Sequence, residues 1–411
     1  MMCGAGRAFS VALVWTVCWA ARGPAAAADW PQWRGPQLDG ISRETGLLPR
    51  WPDNGPPELW RVPLGNGFSA VSVVGNRAYT MYGSPEGEFA VALDVHSGKI
   101  LWKTRSGDLF KNSYGDGPRA TPAVDEGRLY TLGGKGSLAC LDIADGKPIW
   151  QLSLLEKFGG EPPEYGFSAS PLVVGKLLVV VVGAGHGKSL AALDKSSGKV
   201  VWTSLDDKPG YATPLPIEVD GVPQLVVLMG EALVSVSPSD GHEFWRHPWK
   251  TEQDANVAAP IFSRNRLFIS SGFGTGCAMF ELSATGGKPA ARRLWANKNM
   301  ENYFSSSLLI DGHLYGFKKT ILTCIDFDSG AVKWKQRGFN QGSLLCADGK
   351  LIIYGERATL ALAEASPEKY QEISKTPVLD DQTWTVPTLC DGRLFVRNQK
   401  ELVCLNLRAA K

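Results

Sequence analysis

One eleven-residue segment recurs along the chain, and it restricts the possible folds more than any other feature. It reads ALDVHSGKILW at 92–102, CLDIADGKPIW at 140–150, ALDKSSGKVVW at 192–202 and CIDFDSGAVKW at 324–334. SVSPSDGHEFW at 235–245 is a degraded copy, and Trp295 ends a longer one. The segment-ending tryptophans, from Trp60 through Trp334, stand 39 to 52 residues apart. A strand-rich repeat of that length is the signature of a propeller blade or a similar array.

The chemistry of the segment explains its shape. Alternating residues ahead of the Asp form a strand, and HSGK, ADGK or SSGK then turns the chain, with Gly where φ must be positive. A second strand follows and ends in a Trp large enough to cover the seam between two units. Asp94, Asp142, Asp194 and Asp326 are placed to accept backbone N–H groups in that turn, so they read as turn residues and not as catalytic acids.

Upstream of each copy lies another strand pair, as in TPAVDEGRLYTLG at 121–133, SPLVVGKLLVVVVG at 170–183, SLLIDGHLYGF at 307–317 and VPTLCDGRLFVRN at 386–398. Each unit therefore holds four strands, which is one blade. First strands start near Phe68, Arg119, Ser168, Tyr211, Val257, Phe304, Asn340 and Trp384, giving eight. The last copy stops at ELVCLNL (401–407) without its Gly turn and Trp strand, and the missing piece, PELWRV with Trp60, sits at 57–62. The expected fold is all-β, an eight-bladed β-propeller of four-stranded antiparallel blades. The N-terminal strand joins the last blade and closes the ring, which removes an exposed sheet edge. Helical periodicity is weak, apart from a short turn expected around Ser366 to Glu372.

Residues 1–28 read as a cleavable export signal. Arg7 is the positive end, Phe9 to Ala21 the apolar run, and Ala26-Ala27-Ala28 the cleavage site before Asp29. The apolar run is short for a membrane span, and Val17 ahead of Cys18 does not match a lipidation site. A soluble periplasmic or secreted protein is expected, with a Trp- and Pro-rich extension at 29–56 and the propeller at 57–411. The 43 Lys and Arg against 41 Asp and Glu, with no basic cluster, argue against nucleic acid as a partner. Beyond the signal, Cys140, Cys324 and Cys404 occupy one repeated position, so buried thiols are favoured over disulfides for the set that also holds Cys277, Cys346 and Cys390.

With these residues in view, the chain resembles the PQQ-repeat (pyrroloquinoline-quinone) superfamily of eight-bladed propellers. Gly98, Gly146, Gly198 and Gly330 with Trp102, Trp150, Trp202 and Trp334 match its structural docking motif, and Trp60 supplies the closing copy. DWPQWRGPQLDGIS at 29–42 looks like the leader of many exported members. The superfamily includes quinoprotein dehydrogenases and non-catalytic members such as the propeller lipoprotein of outer-membrane assembly. The resemblance implies that a dehydrogenase would carry adjacent cysteines at the quinone, acidic and amide Ca²⁺ ligands and a catalytic Asp. No two of the six cysteines beyond the signal are adjacent, and no C-x-x-C-H haem site occurs.

Other motifs point nowhere specific. GAGHGKS at 183–189 has Val182 where a phosphate loop needs Gly, and it joins two strands. The five histidines form no metal-binding pattern, and no G-x-S-x-G elbow is present. Candidate ligand positions come from the strands that would line the channel: Phe68, Arg119, Phe167, Tyr211, Asn256, Phe304, Asn340 and Trp384, with Ser168, Val257, Tyr303 and Phe339 beside or among them. These residues either form a ligand funnel or pack together as a plug. The function expected is a non-catalytic, monomeric binding or scaffolding propeller for an unknown protein or small molecule, without cofactor or metal. The alternative is an oxidoreductase holding PQQ with Ca²⁺ in the funnel.

Overall fold

Strand pairs joined by tight turns repeat eight times, and each set of four hydrogen-bonds into its own antiparallel sheet. The computed structural model describes residues 29–409. In blade 1 the strands are Ser72–Val74, Arg77–Ser84, Gly87–Asp94 and Ile100–Gly107, numbered outward from the channel. Blades 2 to 7 repeat this order from Ala123, Leu172, Leu215, Ile261, Leu308 and Gly342. Third strands such as Gly87–Asp94 and Ala232–Val236 are buried along almost their whole length. Both of their faces meet neighbouring blades, so their sequence is a continuous apolar run instead of an alternation.

Blade 8 confirms the expected closure. Thr388–Cys390, Arg393–Arg397 and Glu401–Asn406 supply three strands, and Glu58–Pro63 pairs antiparallel with Glu401–Asn406 as the fourth. Arg397 is fully buried at this seam and donates to the carbonyls of Gly65 and Met81 of the N-terminal stretch and blade 1.

The repeated Gly and Trp form the contact between blades. Trp60 lies on Gly98, Trp102 on Gly146, Trp150 on Gly198, Trp202 on Gly241 and Trp295 on Gly330, so each Trp reaches the turn of the next blade. A Cβ on Gly146 would stand 2.5 Å from the Trp102 ring, and its φ of +72° disfavours any other residue. Each indole N–H also donates to a carbonyl of that turn, for example Trp60 to Val95 at 2.9 Å and Trp150 to Lys195 at 3.1 Å. Trp334 keeps the hydrogen bond, to Ser366, although blade 7 has no Gly in its turn.

The turn aspartates do what their position suggests. Asp94 accepts two backbone N–H groups and one Ser hydroxyl, Asp194 accepts two N–H groups and the hydroxyls of Ser196 and Ser197, and these bonds hold the Asp194 carboxyl down at about 2. Cys140, Cys324 and Cys404 stand directly opposite Trp150, Trp334 and Trp60 in register. A small side chain there leaves room for the indole and for Tyr130, Tyr315 or Phe395 on its other side. All six described cysteines are buried and unpaired, and burial pushes their thiols up to about 11 or 12.

Among the described residues the α-helix is Leu154–Phe158, capped by the Ser153 hydroxyl, whereas Ser366 to Glu372 contains only a bend before its strand begins. No helix among the described residues is long and apolar enough to cross a membrane. The signal assigned to residues 1–28 lies outside the described residues.

Candidate functional site

Eight inner strands converge on a central channel, and their first residues decide what faces it. Side chains two positions apart share a face of a strand, so each blade contributes up to two tiers. The upper tier holds Phe68, Arg119, Ser168, Tyr211, Val257, Phe304 and Trp384. The lower tier holds Ala70, Thr121, Ser170, Thr213 and Val386, and the whole forms a cavity of about 390 Å³.

The lower tier ties one blade to the next. The amide of Ala70 donates to Thr121 Oγ1, that of Thr121 to Ser170 Oγ, and that of Ser170 to Thr213 Oγ1, at 2.9 to 3.2 Å. Ala259 and Ser306 repeat the pattern between blades 5 and 6. These hydroxyls satisfy inner-strand amides that have no further strand to pair with.

The upper tier is an aromatic arc. Trp384 stacks on Phe68 with centroids 5.5 Å apart and meets Phe304 at 5.0 Å and Tyr114 at 6.4 Å. Tyr114, Tyr165 and Tyr211 continue the arc at 5.8 and 5.6 Å, and Phe273 meets Tyr303 at 4.8 Å. Burial pushes the Tyr211 hydroxyl up to about 12. Trp33, from the segment before blade 1, also lines the cavity.

The placement of Trp33 follows from the path of residues 29–42. Trp30 pairs with Val73 of blade 1, the Pro31 carbonyl accepts from Val124 of blade 2, and Leu38 packs with Ala169 and Leu172 of blade 3. Arg34, 3% exposed, donates to Ser307 before blade 6, and Ile41 pairs with Cys346 of blade 7. A segment that touches blades on both sides of the ring crosses its channel. It meets the far ends of the inner strands, so Trp33 is the floor of a cup that opens at the other mouth.

Of the eight positions proposed from sequence, Phe68, Arg119, Tyr211, Phe304 and Trp384 line the cup. Phe167 does not: it is buried among residues of blades 2 and 3, facing away from its lining neighbour Ser168. Asn256 is 0% exposed. Its amide donates to the carbonyls of Met229, Gly230 and Trp249, and its oxygen accepts from Ser271. Asn340 has a φ of +53°, and the next residue, Gln341, takes its place on the lining. Sequence reasoning missed Trp33, Tyr114, Tyr165, Phe273 and Glu356. The nearest available signal was an aromatic in the loop before a first strand, as in Tyr165 of EYGFS.

Arg119 has a structural occupation. It donates to the carbonyls of Gly115, Gly117 and Tyr165, and its guanidinium lies 4.5 Å from the Phe110 ring centre and 5.5 Å from that of Phe68. Burial lowers its pKa to about 10. Behind it, Glu88 is buried and accepts from the amides of Phe110 and Gly134, and burial raises its carboxyl above the usual range. Among the described residues no group of three His, Cys, Asp or Glu side chains stands close enough to share a metal ion.

The family model of the outer membrane protein assembly factor BamB matches residues 86–336, well over half of the chain. The chain belongs to the BamB family. No curated protein matches it. Among solved structures, BamB from Moraxella catarrhalis is similar with a TM-score of 0.60 and 14% identity, over 86% of this chain and 98% of that one. Quinohemoprotein alcohol dehydrogenase from Comamonas testosteroni is similar with a TM-score of 0.66 and 11% identity, over 93% and 81%. The computationally designed Ika8 protein gives 0.57 and 11%, over 90% and 99%. Identities this low show a shared fold, and a shared propeller does not transfer a function.

Proposed function

We propose that this member of the BamB family is a non-catalytic, exported binding module. It works as a monomer and takes a small molecule or a protein segment, not nucleic acid, in the aromatic cup. One observation carries the reading: nine lining side chains are aromatic, while the polar ones are largely engaged in holding the fold. Concave, mostly apolar sites with few polar groups are what ligand recognition uses. The family is named for an assembly factor, a binding task, which supports the same reading.

The competing reading, an oxidoreductase with PQQ and Ca²⁺ in the funnel, meets side chains that do not fit it. PQQ carries several carboxylates, and Arg119, the one cationic side chain on the lining, already donates to three backbone carbonyls. Glu356 is the one carboxylate on the lining, where a Ca²⁺ site needs several oxygen ligands.

Ligand-observed NMR with a fragment set containing indole, phenol, glucose, choline and short apolar peptides tests the proposal. Fragments should bind the native chain and lose their signal with Trp384→Ala or Tyr165→Ala, while both variants stay folded by circular dichroism. The proposal fails if no fragment depends on those two residues. Stoichiometric quinone absorbance retained after desalting from PQQ and Ca²⁺ would instead favour the oxidoreductase.

A further inference from the structure

Several polar side chains of the cup are already engaged in holding the fold. Asn112 donates to the Glu164 carbonyl and accepts from the Tyr114 amide. Ser168 donates to the Gly166 carbonyl, and Tyr211 accepts from the Tyr165 amide. Thr121, Ser170 and Thr213 each accept a neighbouring blade's amide. Arg119 donates to three carbonyls, and its charge faces Glu88 and Asp116. A polyanion needs free cations, and the single cationic side chain of the lining is committed to backbone carbonyls.

Glu356 is the single carboxylate on the lining. Its Oε1 accepts from Trp384 Nε1 at 2.9 Å and from Gln382 Nε2 at 3.2 Å. Both bonds use the same oxygen, and no ion pair among the described residues involves this carboxylate, so its negative charge is unneutralised at the aromatic wall. An indole whose N–H donates to a carboxylate presents a more electron-rich face. Aromatic faces around a negative charge attract an organic cation whose own surface is apolar, because the ring quadrupoles and the carboxylate act together and the methyl groups need no hydrogen bonds.

We infer that the cup is an aromatic cage for an alkylated ammonium group, with Trp384, Phe304, Tyr114 and Tyr165 as its walls and Glu356 as its counter-charge. This rests on the cup being a binding site, and it names the ligand class. Glu356 orients Trp384 and faces the cation, whereas Arg119 stays a wall element held by its carbonyls.

The test is calorimetric titration of the intact chain, beyond its signal, with choline, phenyltrimethylammonium and 3,3-dimethylbutan-1-ol, the uncharged shape-mimic of choline. The two cations should bind, and the alcohol should bind roughly tenfold more weakly or worse. Glu356→Gln should weaken the cations by a similar factor without affecting the alcohol, and Trp384→Ala should remove cation binding. Thermal melts of both variants separate these effects from unfolding.

Equal affinity for the alcohol, or cation affinity unchanged in Glu356→Gln, overturns the cage. Loss of the cage while another fragment binds in a Trp384-dependent way leaves the binding-module reading standing. If no probe binds in a Trp384-dependent way, both readings fall.

Discussion

The two ends of the channel use the same materials for opposite purposes. At the far end, residues 29–42 cross the ring, and Trp30, Arg34 and Leu38 are buried against the blades. At the near end, Trp384, Phe68, Phe304 and Tyr165 remain partly exposed, and Tyr114 is 56% exposed. Both ends pin loops with an arginine on backbone carbonyls: the buried Arg34 on Leu38, Asp39 and Ser307, and the half-buried Arg119 on Gly115, Gly117 and Tyr165. One end is filled and the other is held open. An aromatic that packs is structural, and an aromatic that stays accessible beside a built wall is available to a ligand.

The largest effect should come from breaking the filled end. Trp30 is 2% exposed and packs over Gly35, so Trp30→Ala should cost about 3–5 kcal/mol by leaving a cavity. Trp384 is only half-buried, and Trp384→Ala should cost about 1–2 kcal/mol, mainly its ring contacts. Chemical denaturation of the two variants measures the gap. Equal losses would mean that Trp384 is as structural as Trp30 and that the near end is a plug.

The arginines give the next largest contrast. Arg34→Met leaves three carbonyls without donors where the crossing segment excludes water, at a cost of about 2–4 kcal/mol. Arg119→Met leaves three beside the open cup, where water can replace the guanidinium, so about 1–2 kcal/mol is expected. Denaturant midpoints report both, and a reversed order would place water at the wrong end of the channel.

The fold was legible and the site only partly so, for one physical reason. Gly98 and Trp60, or Gly146 and Trp102, solve the same packing problem at each seam, so the same residue types return at regular spacing. The missing Trp strand of blade 8 was readable at residues 57–62 because a ring needs every blade complete. Each blade meets the channel differently, so no repeat marks the lining. Ser168 lines the cup and Phe167 does not, which the alternation of a strand explains but a list of aromatics obscures. Asn256 looked like a ligand group, yet its amide serves the backbone carbonyls of Met229, Gly230 and Trp249. Glu356 and Trp33 come from segments outside the first strands, and only the three-dimensional path of the chain brings them to the cup.

The smallest effect separates the ends by pH. Each has a half- or fully buried carboxylate gripping two amides: Glu88 holds Phe110 and Gly134 near the cup, and Glu44 holds Asp391 and Gly392 at the far side. Burial is the largest influence on both and raises both pKa values above the ordinary carboxylate range, against the pull of their hydrogen bonds and nearby arginines. A raised folded pKa means that the native state binds the proton more tightly than the unfolded chain. The resulting stabilisation is complete below the unfolded pKa of about 4.5 and is lost as pH rises through the folded value. Melts of Glu88→Gln and Glu44→Gln against the native chain, from pH 4 upward, should therefore show the native advantage shrinking with pH. The decline should be steeper for Glu88, which is 1% exposed, than for the half-buried Glu44. A native advantage that grows with pH at Glu88 would show that Arg119 and the two amides outweigh burial there. The near end would then be held by charge, and the loop carrying Asn112 and Tyr114 would tighten with rising pH instead of loosening.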